Sequence, residues 1–334
     1  MLRVVEDEKL IKKYAARFVR SFKPLVDEKI PVRLGHQGAS FSARVLWSKK
    51  AGIWFFSQTA KQVRYANAFG IGKPPAGSHL PIAAEINFPA AGIDRRTGGA
   101  FARDPLGNVF AVHRGVIGGG KKGIGKSFFE EQYRGVWSWM EDADLISQVA
   151  VIGRLDSSRF PLQAALFVRK IDQLKSAVQR SSQTQFDFPE IAFREELLGE
   201  SSPPSKDDLS PRCEQDLVVG HLASLLERWK FKVGNDPNRD LFIAEPTGNK
   251  ISHVFAVSAD SKEQSILAAV ARLIIGSDAT EPPVTILVVP DHAVCRYAGD
   301  FERLHIRLIG FRLEQERIIF PDLGKIRLDL NTQL

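Results

Sequence analysis

With 334 residues, of which 44% are hydrophobic and 25% charged, the chain has enough material for two domains with separate cores. Two cysteines, Cys213 and Cys295, are too few for a disulfide framework. No apolar run reaches the ~18 residues of a membrane span, so a cytoplasmic protein with no membrane partner is expected. The formal net charge is +7, unevenly spread: residues 1–180 hold 29 Lys and Arg against 15 Asp and Glu, and residues 181–334 carry a net −7. A basic front half points to a polyanion, DNA first and RNA as a possibility, with an acidic partner protein as the alternative.

In chain order, Glu6 to Phe22 places Leu10, Ile11, Tyr14, Ala15, Phe18 and Val19 at helical spacing, opposite a face carrying Lys9, Lys12, Lys13, Arg17 and Arg20. Short β-rich runs follow. Ser42–Trp47 and Ile53–Ser57 flank Lys49-Lys50-Ala51-Gly52 as a hairpin. Pro81–Phe88 is predicted as one strand, as are Gly99–Arg103, Asn108–His113 and Ser147–Leu155, and Pro161–Val178 reads as a helix. Residues 1–180 are therefore expected to form an α+β domain with an antiparallel, barrel-like sheet. Residues 181–211, polar and broken by Pro203-Pro204, read as a linker, and residues 212–334 as a second, α/β domain.

Three segments of the basic domain could carry chemistry. Gly120–Ser127 matches the pattern G-x-x-x-x-G-K-[ST], with Lys126 and Ser127 at the phosphate and metal positions of a nucleotide switch. That motif needs a parallel βαβ setting, and the flanking runs read as antiparallel hairpins. The same residues are better read as a glycine-rich loop offering N–H groups, Lys121, Lys122 and Lys126 to backbone phosphates. Arg95, Arg96, His113 and Arg114 are expected near the same sheet edge, where arginine forks pair with phosphate or guanine. Trp47, Trp54, Phe55, Phe56, Tyr65 and Phe69 could stack on a flipped base, although alternating aromatics more often fill a core, and Asn67 could read a base edge.

In the back half, Cys213–Lys230, Asn238–Ala244, Ile251–Asp260, Gln264–Ile275 and Val284–Pro290 read as helix, strand, strand, helix, strand. This order, with Asp240 opening one strand, resembles the PD-(D/E)XK restriction-endonuclease-like superfamily over residues 212–321. The resemblance implies a mixed sheet flanked by helices, an ancestral Mg²⁺ site, and a role in bacterial defence, restriction or DNA maintenance. Asp240 stands at the family's first acidic position, but its E-x-K positions fall on Ala256 and Ser258. One Asp cannot hold a hard divalent ion for phosphodiester hydrolysis, so no catalytic residue, metal or cofactor is assigned and Asp240 is vestigial. The expectation is a DNA-binding, non-catalytic component whose degenerate domain dimerises or holds a partner protein. An active Mg²⁺-dependent endonuclease with a relocated site, with His253 or Glu245 as substitute ligands, is the enzyme alternative.

Overall fold

The computed structural model describes residues 1–36, 39–60, 63–117, 125–181, 209–236, 238–245, 250–276, 282–314 and 317–323. They form two compact units, divided between Cys213 and Glu214. Both units mix helices and strands. Of the segment read as a linker, residues 182–208 lie outside the described residues, as do Lys121 and Lys122, while Ser181 ends one helix and Leu209–Pro211 open the next.

The first unit begins with Leu2–Val4 (β1) and Glu8–Phe22 (α1), then Glu28–His36 (β2), Ala39–Ser48 (β3), Ile53–Ala60 (β4) and Arg64–Ile71 (β5). Three two-residue pieces, His79–Leu80 (β6), Ala84–Glu85 (β7) and Phe88–Pro89 (β8), come next. Gly99–Arg103 (β9) and Val109–His113 (β10) precede Lys126–Gln132 (α2), Trp137–Asp142 (β11), Leu145–Arg154 (β12) and Phe160–Ser181 (α3).

Strands β2 to β5 make an antiparallel meander, with β6 parallel to β2 at one edge and β7 and β8 antiparallel to β5 at the other. The run expected as a single strand over Pro81–Phe88 is thus broken. Pro81 has no N–H to give a ladder, and the backbone re-pairs piecemeal, Ala83 N–H to the Phe69 oxygen and Ile86 N–H to the Asn67 oxygen. Strands β1, β11, β12, β10 and β9 close into a five-stranded barrel. The closure depends on three residues: β1 lies parallel to β11 at Leu2↔Met140 and antiparallel to β9 at Arg3↔Arg103.

Period-2 alternation explains how the barrel is buried on both faces. Ala100, Ala102, Phe110, Val112, Met140, Val149 and Val151 point inward with Leu2, joined by Leu209 and Cys213. Their alternates Phe101, Ala111, Ala150 and Ile152 point outward, into a second core with Phe55 and Phe69 of the meander, α1 and α3. In that core Phe18 of α1 meets Phe69, Phe88 and Phe160 edge-on. Helix α1 starts where the Asp7 side chain accepts the Leu10 N–H at 2.8 Å, and its polar face is left to Lys9, Lys12, Lys13, Arg17 and Arg20.

The second unit contains most of Leu209–Arg228 (α4), then Lys232–Asp236 (β13), Arg239–Ala244 (β14), Ile251–Val257 (β15), Glu263–Gly276 (α5), Val284–Pro290 (β16), Asp291–Arg303 (α6), Ile306–Glu314 (β17) and Arg317–Ile319 (β18). Its six-stranded sheet runs in chain order. β13, β14 and β15 form an antiparallel meander, β15, β16 and β17 are parallel with α5 and α6 as the connections, and β18 turns back antiparallel. Ile266, Ala269, Val270 and Leu273 of α5 cover Phe242, Ala244, Val254 and Ala256.

One ion pair ties the barrel rim together. Asp142, at the end of β11 and 1% exposed, accepts from Arg114 Nε at 3.1 Å and Nη2 at 2.8 Å, with Arg114 itself only 7% exposed. Arg95 adds a bond from Nη2 to the Asp142 main-chain oxygen at 2.8 Å. Removing the carboxylate strands a buried guanidinium. Asp142→Ala is therefore expected to cost about 3–5 kcal/mol of unfolding free energy in chemical denaturation. A loss below about 1 kcal/mol, the worth of a surface pair, would show the pair to be solvated.

Candidate functional site

The five described residues among those proposed from sequence as phosphate contacts separate into three groups. Arg95 and Arg114 are the arms of the Asp142 clamp: Arg114 is buried, and half-exposed Arg95 also reaches Asp144 at 3.0 Å. Lys126 opens α2 in the open and pairs along the helix with Glu130 at 3.4 Å. Arg96 and His113 both line a cavity of about 400 Å³ in the first unit.

That cavity draws on almost every element around it. Gly35 comes from β2, Arg64 from β5, Glu85 from β7, His113 from β10, and Phe167, Ile171 and Lys175 from α3. Its apolar wall is Ile82, Ile117, Phe167 and Ile171, and its polar groups are Glu85, Asn87, Thr97 and His113. Arg64, Arg96 and Lys175 bring three positive charges. Lys175 is tied to the Ala83 oxygen at 2.8 Å, whereas the exposed Arg64 and Arg96 side chains make no hydrogen bond to described residues. The volume lies within the range of small-ligand sites, and a mainly apolar wall with a few converging polar groups is their usual make-up.

The polar side is fixed by a chain of hydrogen bonds. Asn87 Nδ2 donates to Glu85 Oε2 at 2.8 Å, and Asn87 Oδ1 accepts the Asn67 N–H at 2.8 Å. Asn67 Nδ2 donates to the Ile86 oxygen at 2.8 Å, so Asn67 braces β5 against this segment from a buried position. His113 Nδ1 accepts the Gly115 N–H at 3.1 Å, which leaves the ring proton on Nε2. Gly115 can present that N–H because it holds φ at 85°, a conformation costly for other residues. Gly98 is equally constrained, since a Cβ there would sit 2.6 Å from His113 Nε2.

Burial drives the His113 pKa from its ordinary 6.5 down to about 4. A bond with the Glu85 main chain pulls the other way, and the charges of Arg114 and Lys175 add to the depression. His113 is thus a neutral donor at physiological pH, not a cationic phosphate contact. Sequence reasoning missed Arg64, Glu85, Asn87 and Lys175, which lie on three separate stretches with no common spacing.

Of the six aromatics considered for stacking, Trp47, Trp54, Phe55 and Phe69 are buried, and Phe56 and Tyr65 are partly so. The strand before the glycine-lysine stretch, β10, pairs antiparallel with both its neighbours, and α2 has seven residues. That is not the parallel strand-loop-helix setting a P-loop requires. In the second unit, Asp240 Oδ2 accepts the Val257 N–H at 2.8 Å and lies 3.3 Å from both Gln215 Nε2 and Arg272 Nη2. Ala256 and Ser258 are buried, and the Ser258 hydroxyl donates to the Asp260 oxygen at 2.9 Å. His253 is buried, its pKa pushed to about 4 by desolvation and then by Arg307. Among the described residues no three His, Cys, Asp or Glu side chains converge as metal ligands.

Comparison of the chain with protein-family models, with curated proteins and with solved structures gives no match.

The two buried imidazoles impose a pH dependence on folding. The unfolded chain takes up a proton at each near pH 6.5, and the folded chain resists it until about pH 4. Their stabilising effect is therefore complete above pH 6.5 and falls as pH drops toward 4, by about 2 kcal/mol per histidine at pH 5. Thermal melts across pH 7.5 to 4.5 should show this decline, and His113→Gln should make it shallower. A His113→Gln protein with the wild-type slope would show that His113 takes up its proton normally in the folded state.

Proposed function

We propose that the chain is a nucleic-acid-binding, non-catalytic component of a restriction-type or defence system. Its first unit grips the polymer, and its second is a silent relative of PD-(D/E)XK nucleases used for dimerisation or for holding a partner. The observation that carries the binding half is the outer face of α1. Lys9, Lys12, Lys13, Arg17 and Arg20 are all exposed there, and none forms an ion pair with a described residue. Five cations on one helix face, without an ion-pair partner among the described residues, are a cost in self-repulsion that an approaching row of phosphates would relieve.

The silent half draws support from connectivity and from one substitution of charge. Helix α4, strands β14 and β15, helix α5 and the parallel strand β16 keep the order the nuclease resemblance implies, with β13 as an added strand between α4 and β14. Where that resemblance would place a cation beside Asp240, the Arg272 guanidinium stands instead. The positions that would add a carboxylate and a lysine are Ala256 and Ser258. A guanidinium neutralises the remaining acid but cannot polarise a phosphate or activate a water as a metal does.

Mobility-shift titrations of the whole chain with double- and single-stranded DNA and with RNA, with and without Mg²⁺, test both halves. Binding should weaken steeply between 50 and 200 mM salt, and Lys12→Glu with Arg17→Glu should lower the log–log slope by about two. DNA should remain uncut in Mg²⁺ or Mn²⁺. Salt-insensitive binding, or none, would favour an acidic protein partner, and cleavage lost in Asp240→Ala would restore the nuclease.

A further inference from the structure

We propose that the cavity beside His113 receives a single nucleotide whose base carries an amino group, with its phosphate held at the mouth by Arg64 and Arg96. The phosphate position follows from charge. Arg64 and Arg96 are exposed, lack hydrogen-bond partners among the described residues and line the same cavity. Paired arginine forks are the side chains best matched to phosphate oxygens.

The base position follows from the wall and the carboxylate. Ile82, Ile117, Phe167 and Ile171 offer apolar surface suited to the faces of a planar ring. Glu85 Oε2 is occupied by Asn87 Nδ2, but its second oxygen accepts nothing from the described residues. A carboxylate takes hydrogen bonds only from donors, so it favours the amino groups of cytosine, adenine or guanine and rejects the carbonyl edge of thymine. His113 acts as a positioning residue: it lines the cavity together with Glu85, and its neutrality keeps a competing positive charge away from the carboxylate. Other occupants fit less well. An acyl chain would leave Glu85 and both arginines unmatched, and a divalent cation would meet one carboxylate among three cations.

The nucleotide could be free or could be one extruded from a strand, and the second source rests on the nucleic-acid reading above. Calorimetric titration of the full chain with the 5′-monophosphates of cytidine, adenosine, guanosine and thymidine tests the first. Mobility shift with duplexes bearing one base opposite an abasic site, set against the fully paired duplex, tests the second. The expected result is a preference of at least tenfold for an amino-bearing base over thymine in one of these assays. Glu85→Gln should erase that preference. Val116→Trp, which places an indole at the exposed lip, should weaken the same binding at least tenfold, with a melting curve separating blockage from unfolding.

No mononucleotide binding and no preference for the unpaired base would overturn the proposal, as would a preference untouched by both variants. The two readings fail differently. Mononucleotide binding without any duplex binding refutes only the polymer-gripping role, and salt-dependent duplex binding indifferent to unpaired bases refutes only the cavity.

Discussion

The first unit is organised around one buried carboxylate. Asp142 ends β11, Arg114 follows β10, and Arg95 lies on the approach to β9, so a single residue, through its carboxylate and its main-chain oxygen, joins three neighbouring parts of the barrel rim. Each arginine is the sequence neighbour of a cavity residue: Arg95 precedes Arg96, and Arg114 follows His113. With Arg95 and Arg114 anchored, Arg96 and His113 are held at defined places on the cavity wall. A buried pair contributes little net stability but strongly disfavours arrangements that separate it, and fixing position is what a binding site requires.

A comparable exchange of charge marks the second unit with the opposite outcome. Around Asp240 three donors are already engaged. The Val257 N–H and the Gln215 amide satisfy the carboxylate, and Arg272 bridges it to the Val257 main-chain oxygen at 3.1 Å. On the nuclease reading, a divalent ion there would have to displace the Arg272 guanidinium, and the position of a second acid is Ala256, in the core beneath α5. Stability and metal chemistry compete for the same few atoms, and here the stabilising arrangement holds them.

How much of this could be read from the chain depends on how each strand hides its faces. Gly99–Arg103 and Val109–His113 were legible because turn residues bound short apolar runs, and α1 because one clean stripe opposes one charged face. Strand β1 was not, since three residues carry no period and their partners lie far along the chain. Strand β5, Arg-Tyr-Ala-Asn-Ala-Phe-Gly-Ile, was hidden by its small residues. The Trp54 indole lies over Gly70, where a Cβ would fall 2.3 Å from the ring, so the strand's small size is a packing requirement, not a turn signal. In the second unit β13 and β18 bury one residue each and α6 buries only Ala293 and Phe301, so no apolar period marks them in the chain.

The cavity was the least legible feature for a physical reason. A motif shows in sequence when one local element presents all its groups, as a glycine loop does before a helix. Here Arg64, Glu85, Arg96, His113 and Lys175 reach the cavity from separate elements, and no interval between them has meaning in the chain alone. Local cues instead drew attention to Arg114, whose type matched a phosphate contact but whose burial made it structural. Exposure decides between those roles: the guanidinium that clamps a barrel at 7% exposure stands exposed at Arg64 and Arg96, without a hydrogen-bond partner among the described residues. Charge type in a sequence therefore narrows the candidates, and only the three-dimensional partner of each charge assigns the role.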